Sequence, residues 1–199
     1  MVEILQPQES GVHQHRRRLL EGMAHAVAAK GYPDTTIADI VREAAVSRRT
    51  FYEHFSTKAE CLIALYEASS HKALKVLREA LDPAHEWQTQ VETALSAYLG
   101  NMAQSPVLIR TLFIEILGLG AVGLASRRRV NEEIADFILG VVNGPSGHPR
   151  AEPLTADMAM AIVGAINELV LQYIEQDKVA QLQELVGPAS ELIHAVTHA

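Results

Sequence analysis

The chain has little of several residue types that characterise other protein classes. Its 199 residues include a single cysteine, so no disulfide can form within the chain, and aromatic residues make up only 5%. Segments with the polar–apolar alternation of strands are nearly absent. The longest uncharged apolar run, residues 116–126, is well short of the ~18 residues that span a bilayer, and the N-terminus shows no basic-then-apolar signal pattern. We therefore expect a cytoplasmic protein that is neither a disulfide scaffold nor a β-protein.

The composition favours helices. Hydrophobic residues make up 48% of the chain and charged residues 21%, which suffices for a core in one domain or two small ones. Alanine, leucine, glutamate and glutamine recur in amphipathic runs, which predict an all-α protein of about nine helices. Asp82–Pro83 and Ser105–Pro106 are expected to start helices, Gly31 to end one, residues 144–153 to form a loop and Pro188 to kink the last helix.

The net charge of −7 is unevenly distributed along the sequence. Between Arg16 and Lys58, eight basic residues stand against five acidic ones, which gives +3 for this segment and leaves −10 for the remainder. Phosphate binding requires local rather than overall positive charge, so the chain can have a DNA-facing end and an acidic body. Residues 16–18, all arginine, either supply at least one DNA-backbone contact or form a solvated helix start. A second triplet, residues 127–129, is interpreted as a solvated face.

Residues 46–55 read as a short helix with two different faces. Ser47 is placed to cap its N-terminus. Phe51 and Phe55 share one face at helical spacing, and the opposite arc carries Arg49 and Glu53 among other polar side chains. A helix that rests on a protein body and enters a DNA major groove needs this division.

The residues on either side of this helix predict two further helices, one before it and one after it. Thr36 and Asp39 form a near-match to a capping box at the start of a preceding helix, residues 36–44. The three residues that follow are too few for a free loop, so the two helices must meet at a steep angle. Thr57 with Glu60 caps a third helix. The order of these signals predicts a helix-turn-helix.

This segment, about residues 14–66, resembles the N-terminal domain of the TetR family, the tetracycline-repressor-like regulators. Ala45 departs from the family pattern, which usually has glycine there; if the turn needs a positive φ, alanine costs about 1 kcal/mol. Arg49 is a second departure, since many members have a small or neutral residue. The matching residues are Gly31, Thr35, Thr36, Ile37, Ile40, Val41, Ala44, Val46, Ser47, Thr50, Phe51, Tyr52, His54, Phe55, Lys58 and Leu62.

The resemblance implies a homodimeric regulator, most often a repressor, which binds a palindromic DNA operator and is released from it by a small-molecule effector. It places three residues at base edges and five at phosphates. The base-edge residues are Arg48, Arg49 and Thr50, and the phosphate residues are Thr36, Ser47, Tyr52, His54 and Lys58. It also implies a DNA-binding domain (14–58) and an effector-binding and dimerisation domain (59–199). Residues 1–13 are polar and lack periodicity, so we expect them to form a flexible arm.

Aromatic and methionine residues on the middle helices suggest an apolar effector pocket, although the same residues could simply fill the core. Two polar residues in apolar surroundings, Glu115 and Asn167, could orient a ligand. The candidate ligand-binding residues are Trp87, Tyr98, Met102, Phe113, Glu115, Phe137, Met158 and Asn167.

The helix over residues 155–175 is apolar on nearly all sides, so it should be buried on two sides. Its small residues would let a partner helix approach closely, and in the family the last two helices form the dimer interface. The candidate interface residues are Ala161, Gly164, Ala165, Leu169, Leu185 and Leu192.

No catalytic or metal-binding pattern was found, and no cofactor is expected. The nine histidines lack metal-ligand spacing, and no phosphate loop or Ser/His/Asp arrangement is recognisable. Cys61 is interpreted as an ordinary helix residue, with redox sensing as the alternative. Two other functions stay open: an enzyme with a pocket in the helical body, and a ligand-binding dimer that has lost DNA binding. The marker of the latter would be recognition arginines that pair internally with Glu43 or Glu53.

Overall fold

A computed structural model describes residues 11–144 and 152–197, and within them the prediction of an all-α fold is confirmed. The described residues form nine α-helices and one 3₁₀ segment, Val179–Leu185, with no strand. The helices are α1 (Gly11–Asp34), α2 (Ile37–Ala44), α3 (Arg48–His54), α4 (Lys58–Ala80), α5 (Trp87–Ala103), α6 (Pro106–Gly118), α7 (Ala121–Val142), α8 (Ala156–Glu175) and α9 (Val186–Thr197).

The chain separates into two compact units, Met1–Leu65 and Tyr66–Ala199. Helix α4 contributes residues to both. The first unit holds α1 to α3 and the start of α4, and its core contains side chains from each of them. Those with no exposed surface include Leu19, Met23, Val27, Ile40, Phe51 and Leu62.

Helix α1 starts earlier than expected, at Gly11 rather than near Arg16. Residues 11–13 of the predicted flexible arm are therefore helical, and residues 1–10 lie outside the described residues. Gly31 has φ 79° and ψ 161°, which breaks the helix as predicted, because a side chain disfavours this backbone conformation.

Helices α1 and α2 approach each other closely at Gly22. A Cβ atom at this position would lie 2.7 Å from the Ile40 carbonyl oxygen and 2.8 Å from the Ala44 nitrogen. Any larger residue would push the helices apart. This glycine, which sequence reasoning missed, therefore sets how α2 is seated on α1.

The second unit is built from α5 to α9 with the rest of α4. Two of the predictions made for prolines in this unit are wrong. Asp82 and Pro83 form a turn, in which Asp82 Oδ1 accepts from the Ala84 N–H at 2.9 Å, so α5 begins only at Trp87. Pro188 does not kink the last helix. It lies in the first turn of α9, where its missing N–H has no helical partner to lose, and the break falls between the 3₁₀ segment and Val186.

Helix α8 packs one face into this unit and leaves the other open. Ile162, Val163, Val170 and Ile174 are buried. On the opposite side Gly164 is exposed, and a Cβ added to it would meet nothing within 4 Å. We expected α8 to be buried on two sides; within this chain only one side is buried. The length and apolar character of α8 would also suit a membrane span, but buried core helices share both properties.

Of the loop predicted over residues 144–153, residues 145–151 lie outside the described residues. Gly144, Glu152 and Pro153, which flank them, are not helical. Asn143 connects the two ends, because its Oδ1 accepts from the Leu154 N–H at 2.8 Å and its Nδ2 donates to the Leu154 carbonyl at 3.0 Å.

Candidate functional site

Helix α2 begins with a complete capping box. Thr36 Oγ1 accepts from the Asp39 N–H at 3.2 Å, and Asp39 Oδ2 accepts from the Thr36 N–H at 2.9 Å. The Lys30 ammonium lies 2.5 Å from the same carboxylate, and Arg42 lies 3.0 Å from it. Lys30, followed by Thr36 and Arg42, holds the pKa of Asp39 well below its usual range. The charged carboxylate therefore ties the start of α2 to α1 at neutral pH.

The turn between α2 and α3 is left-handed at Ala45, the position at which the TetR family usually has glycine. Ala45 has φ 49° and ψ 48°. Its N–H donates to the Arg42 carbonyl, and the Val46 N–H donates to the Val41 carbonyl, both at 3.1 Å. Arg18 Nη2 donates to the Ala45 carbonyl at 2.7 Å. The turn is thus fixed by α1 as well as by its own backbone, in spite of the strain of an alanine at positive φ.

Helix α3 is anchored by its aromatic face. Ser47 Oγ accepts from the Thr50 N–H at 3.0 Å and caps the helix as predicted. Phe51 is fully buried and Phe55 is 5% exposed, with their ring centroids 5.8 Å apart. The Arg16 guanidinium lies 5.5 Å from the Phe55 ring centroid. A short helix held at both aromatic positions presents its other side chains in a fixed direction.

The opposite side of α3 is open to solvent. Arg48, Arg49 and Tyr52 are exposed, while Thr50 and His54 are half-buried. Arg49 Nε donates to Glu53 Oε1 at 3.1 Å, although both side chains are largely exposed. Such a surface pair is worth about 0.3–0.5 kcal/mol, whereas a bidentate arginine–guanine contact is worth about 1–3 kcal/mol. The pair can therefore open in favour of a base.

The side chain of Lys58 is turned toward the end of α1. Its ammonium donates to the carbonyl oxygens of Tyr32 at 2.9 Å and Thr35 at 2.8 Å, and it lies 4.2 Å from the Tyr32 ring centroid. These contacts occupy most of the hydrogen-bonding capacity of an ammonium group. They give Lys58 a structural role that the sequence did not predict, and its phosphate contact stays a prediction.

The three arginines at residues 16–18 make different contacts. Arg18 supports the turn and Arg16 covers Phe55, as described above. Arg17 is exposed and lies 3.9 Å from Glu21, a distance at which a solvated pair contributes little. Arg17 is thus the member of the triplet that is free to reach a DNA backbone, a role that remains a prediction.

Cys61 is buried with no exposed surface, and its Sγ lies 4.0 Å from the Leu19 carbonyl oxygen. Burial raises the pKa of the thiol to about 12. A redox sensor needs an accessible thiolate. The interpretation as an ordinary helix residue therefore fits the structure, and redox sensing does not.

The second unit contains an apolar cavity of about 90 Å³ between α4, α5, α7, α8 and α9. Four candidate ligand-binding residues, Trp87, Tyr98, Phe137 and Asn167, line it. The rest of the wall is aliphatic, and sequence reasoning did not select these side chains. Those on α7 recur at helical spacing, which could have indicated that they share an inward face. The aliphatic side chains are Leu77, Leu81, Val91, Ala94, Leu95, Ile134, Ile138, Val141, Val142, Val163, Ile166 and Ile193.

A second cavity, of about 150 Å³, adjoins the first and shares Tyr98, Ile134 and Asn167 with it. Met102 and Phe113 line this second cavity. Its wall also includes polar side chains from three helices, α4, α5 and α7, and from the segment between α5 and α6. These are Ser69, Ser70, Lys72, Asn101, Gln104, Ser105 and Asn131.

Two candidate ligand-binding residues lie elsewhere. Met158 is 43% exposed at the start of α8, and neither Met158 nor Glu115 lines either cavity. Glu115 was selected because it interrupts an apolar run, but that run is half exposed, with Ile114 and Leu117 on the surface. Glu115 itself is half-buried, and a role in ligand binding stays a prediction.

The candidate interface residues fall into two groups. Ala161 and Gly164 are exposed on the open face of α8, and Ala165, Leu169 and Leu192 are half-buried, so these five can be offered to a partner. Leu185 is only 4% exposed and belongs to the core of its own unit. It was selected because its spacing matches an apolar stripe, and that stripe faces inward.

Comparison with known proteins agrees with this architecture. Residues 19–65 match the family model of bacterial regulatory proteins, tetR family. The helix-turn-helix transcriptional regulator TtgW of Pseudomonas putida is 30% identical over 118 residues, which cover 58% of this chain and 83% of that protein. The fatty acid metabolism regulator protein of Bacillus subtilis is 21% identical over 188 residues, which cover 91% of this chain and 94% of that protein.

Solved structures share the fold over nearly the whole chain. The fatty acid degradation regulator FadR of Bacillus halodurans has a TM-score of 0.71 at 16% identity and covers 96% of both chains. FadR of Bacillus subtilis, solved in complex with stearoyl-CoA, has a TM-score of 0.70 at 19% identity, covering 89% of this chain and 96% of that one. The protein is a helix-turn-helix transcriptional regulator. The chain belongs to the TetR family.

Proposed function

We propose that the protein is a homodimeric repressor which binds a palindromic operator in the cytoplasm through α3 and leaves it when a small, largely apolar effector enters the second unit. One observation carries the DNA-binding part. The outer face of α3 is a row of exposed hydrogen-bonding side chains on a helix whose opposite face, Phe51 and Phe55, is buried.

The direct readout falls to the N-terminal half of α3. Arg48 and Arg49 carry guanidinium groups suited to the O6 and N7 atoms of guanine, and Thr50 can meet either a base edge or a thymine methyl group. Ser47, Tyr52 and His54 flank this group and hold phosphates in the proposal. Thr36 would do so by turning its hydroxyl hydrogen, which donates to Asp39 Oδ2 at 2.5 Å, toward the phosphate, while its oxygen still accepts from the Asp39 N–H and caps α2.

Dimerisation is assigned to the open face of α8 together with α9. The exposed small residues Ala161 and Gly164 permit a close approach of two helices. A two-fold dimer presents two α3 helices to half-sites about 34–36 Å apart, which is one turn of DNA.

The effector site is assigned to the apolar cavity. The related FadR structure was solved with a long-chain acyl-CoA, which supports an apolar ligand for this fold. Leu77 of α4 lines the cavity, and α4 continues without interruption to Lys58 in the first unit. A ligand that displaces α4 would thereby act on the DNA-binding unit. A coupling of about 1–3 kcal/mol gives roughly 5–150-fold release.

The internal Arg49–Glu53 pair is the marker expected of a dimer that has lost DNA binding, so this alternative needs a direct test. Full-length protein is titrated onto labelled DNA from upstream of its own gene, with random DNA as the control, and fluorescence anisotropy is followed across a salt series. The proposal expects at least two subunits per site and a steep loss of affinity with salt. The proposal is refuted if the protein binds the upstream DNA no more tightly than random DNA and if a selection from a random pool also yields no preferred sequence. A ligand-binding dimer or an enzyme would then be the remaining alternatives.

A further inference from the structure

The two cavities of the second unit differ in chemistry but have a common wall. The apolar cavity is lined by carbon atoms almost throughout, whereas the second cavity, which we call the polar cavity, is lined by apolar side chains together with hydroxyl, amide and ammonium groups. Tyr98, Ile134 and Asn167 belong to both. A ligand that fills the apolar cavity and also uses the polar side chains of the second one therefore has an apolar part and a polar part in direct succession.

The size of the cavities limits that ligand. A cavity of about 150 Å³ holds benzene, which corresponds to roughly 25 Å³ for each non-hydrogen atom. On this scale the apolar cavity takes about four such atoms and the polar cavity about six. The two cavities together thus hold about ten non-hydrogen atoms, fewer than a long-chain acyl-CoA contains.

The polar cavity offers hydrogen-bond donors that have no partner among the described residues. The side chains of Ser69, Asn101 and Gln104 make no hydrogen bond to another described residue, and Asn131 uses its Oδ1 to accept from Asn167 Nδ2 at 3.2 Å, which leaves its Nδ2 available. Burial raises the pKa of Tyr98 to about 12, so its hydroxyl remains a neutral donor at pH 7. These groups can receive the oxygen atoms of a ligand.

The charge of the wall selects between possible head groups. Among the described residues that line either cavity, Lys72 is the only charged one, and no carboxylate is present. A cationic head group would find no counter-charge there, while an anionic head group would find one ammonium and several donors.

We infer that the two adjoining cavities form one binding site for a short amphiphilic carboxylate, with the alkyl chain between α4, α5, α7 and α8 and the carboxylate at the donors near Lys72. The biological role of the site, release of DNA, rests on the proposed function. The binding itself does not.

The test uses the full-length protein and isothermal titration calorimetry with three ligands of equal chain length: sodium octanoate, 1-octanol and octylammonium chloride. An exposed charge contributes about two- to fivefold, so octanoate should bind about tenfold more tightly than octylammonium, with octanol between them. From butanoate to octanoate the affinity should rise about fourfold for each methylene group, and then stop rising once the apolar cavity is full.

Two variants assign the two halves of the site. Lys72→Met should reduce the preference for octanoate over octanol, because the binding of octanoate should weaken more than that of octanol. Lys75→Met is the matched control, because Lys75 lies on the same helix, is exposed and lines neither cavity. Val141→Phe, which fills the apolar cavity, should weaken octanoate and octanol by the same factor. If this variant does not fold, the chain-length series on the unchanged protein tests the same point.

DNA release is measured in parallel by anisotropy, which separates this inference from the proposed function. Octanoate that binds as described without releasing DNA would support the site and contradict its effector role. Release of DNA by stearoyl-CoA, with no binding of octanoate at millimolar concentration, would overturn the inference and support the proposed function. Equal binding of octanoate and octylammonium, or affinity that rises steadily beyond ten carbons, would also overturn it.

Discussion

Replacing Ala45 with glycine is expected to stabilise the DNA-binding unit. Ala45 has φ 49° and ψ 48°, a conformation that costs an L-residue about 1–2 kcal/mol. Glycine relieves this strain but loses about 0.5–1 kcal/mol through the greater freedom of its unfolded chain. The Ala45 side chain is exposed, so its removal costs little burial, and the backbone hydrogen bonds to Arg42 and from Arg18 are kept. The net gain is about 0.5–1 kcal/mol.

The assay is thermal and urea unfolding of the full-length protein, read by the transition of the first unit. The gain corresponds to an increase of about 2–8 °C in the midpoint of a unit of this size. Ala28→Gly is the matched control: Ala28 is also exposed but lies inside α1, where glycine costs about 1 kcal/mol. If Ala45→Gly lowers the midpoint as Ala28→Gly does, the positive φ of Ala45 does not strain the turn.

Four further outcomes follow from the structure of the first unit. Phe51→Ala should cost about 3–5 kcal/mol of unfolding free energy, because the ring is fully buried; a loss below 1 kcal/mol in urea unfolding would contradict this. Asp39 stabilises the fold fully above its ordinary pKa of about 4, and this contribution is lost as pH falls through its lowered value, so Asp39→Asn should flatten the acid side of the stability curve. Arg49→Ala should relax sequence preference in a binding selection more than it weakens binding to random DNA; equal effects on both would argue against base readout. Lys58→Met should lower the thermal midpoint, since the carbonyl groups at the end of α1 lose their donor, and a fall of about one in the salt slope would add the phosphate contact that the resemblance implies.

The sequence predicted the first unit well because its signals are local. The capping box at Thr36, the cap at Ser47 and the spacing of Phe51 and Phe55 each involve residues that are four or fewer positions apart. Backbone hydrogen bonding and helical geometry decide such features within one turn. The positive φ of Ala45 could be anticipated in the same way, from a turn that usually carries glycine.

Features that depend on distant residues could not be predicted in this way. The contact of Lys58 with carbonyl groups more than twenty residues earlier, and the support of the turn by Arg18, exist only after α1 has been placed. Leu185 and Met158 show the same limit in the second unit. Their apolar character was clear, but which side of a helix faces the core depends on how all the helices pack, and it put Leu185 inside and Met158 outside.

The two cavities also depend on residues that are distant in the sequence. Trp87, Tyr98, Phe137 and Asn167 were selected as large or polar residues on the middle helices, and they do line the apolar cavity. That the wall separates into two parts of different chemistry follows from the packing of six helices, α4 to α9, and no single segment contains that information.

The central claim, that α3 reads DNA as part of a two-fold dimer, is tested most directly by selecting binding sites for the full-length protein from a random-sequence DNA pool. We expect enrichment of a palindrome whose half-sites are centred about 10–10.5 base pairs apart, and a changed base preference in each half-site for Arg49→Ala. A pool that remains random after repeated rounds, or an enriched sequence that Arg48→Ala and Arg49→Ala leave unchanged, would contradict it.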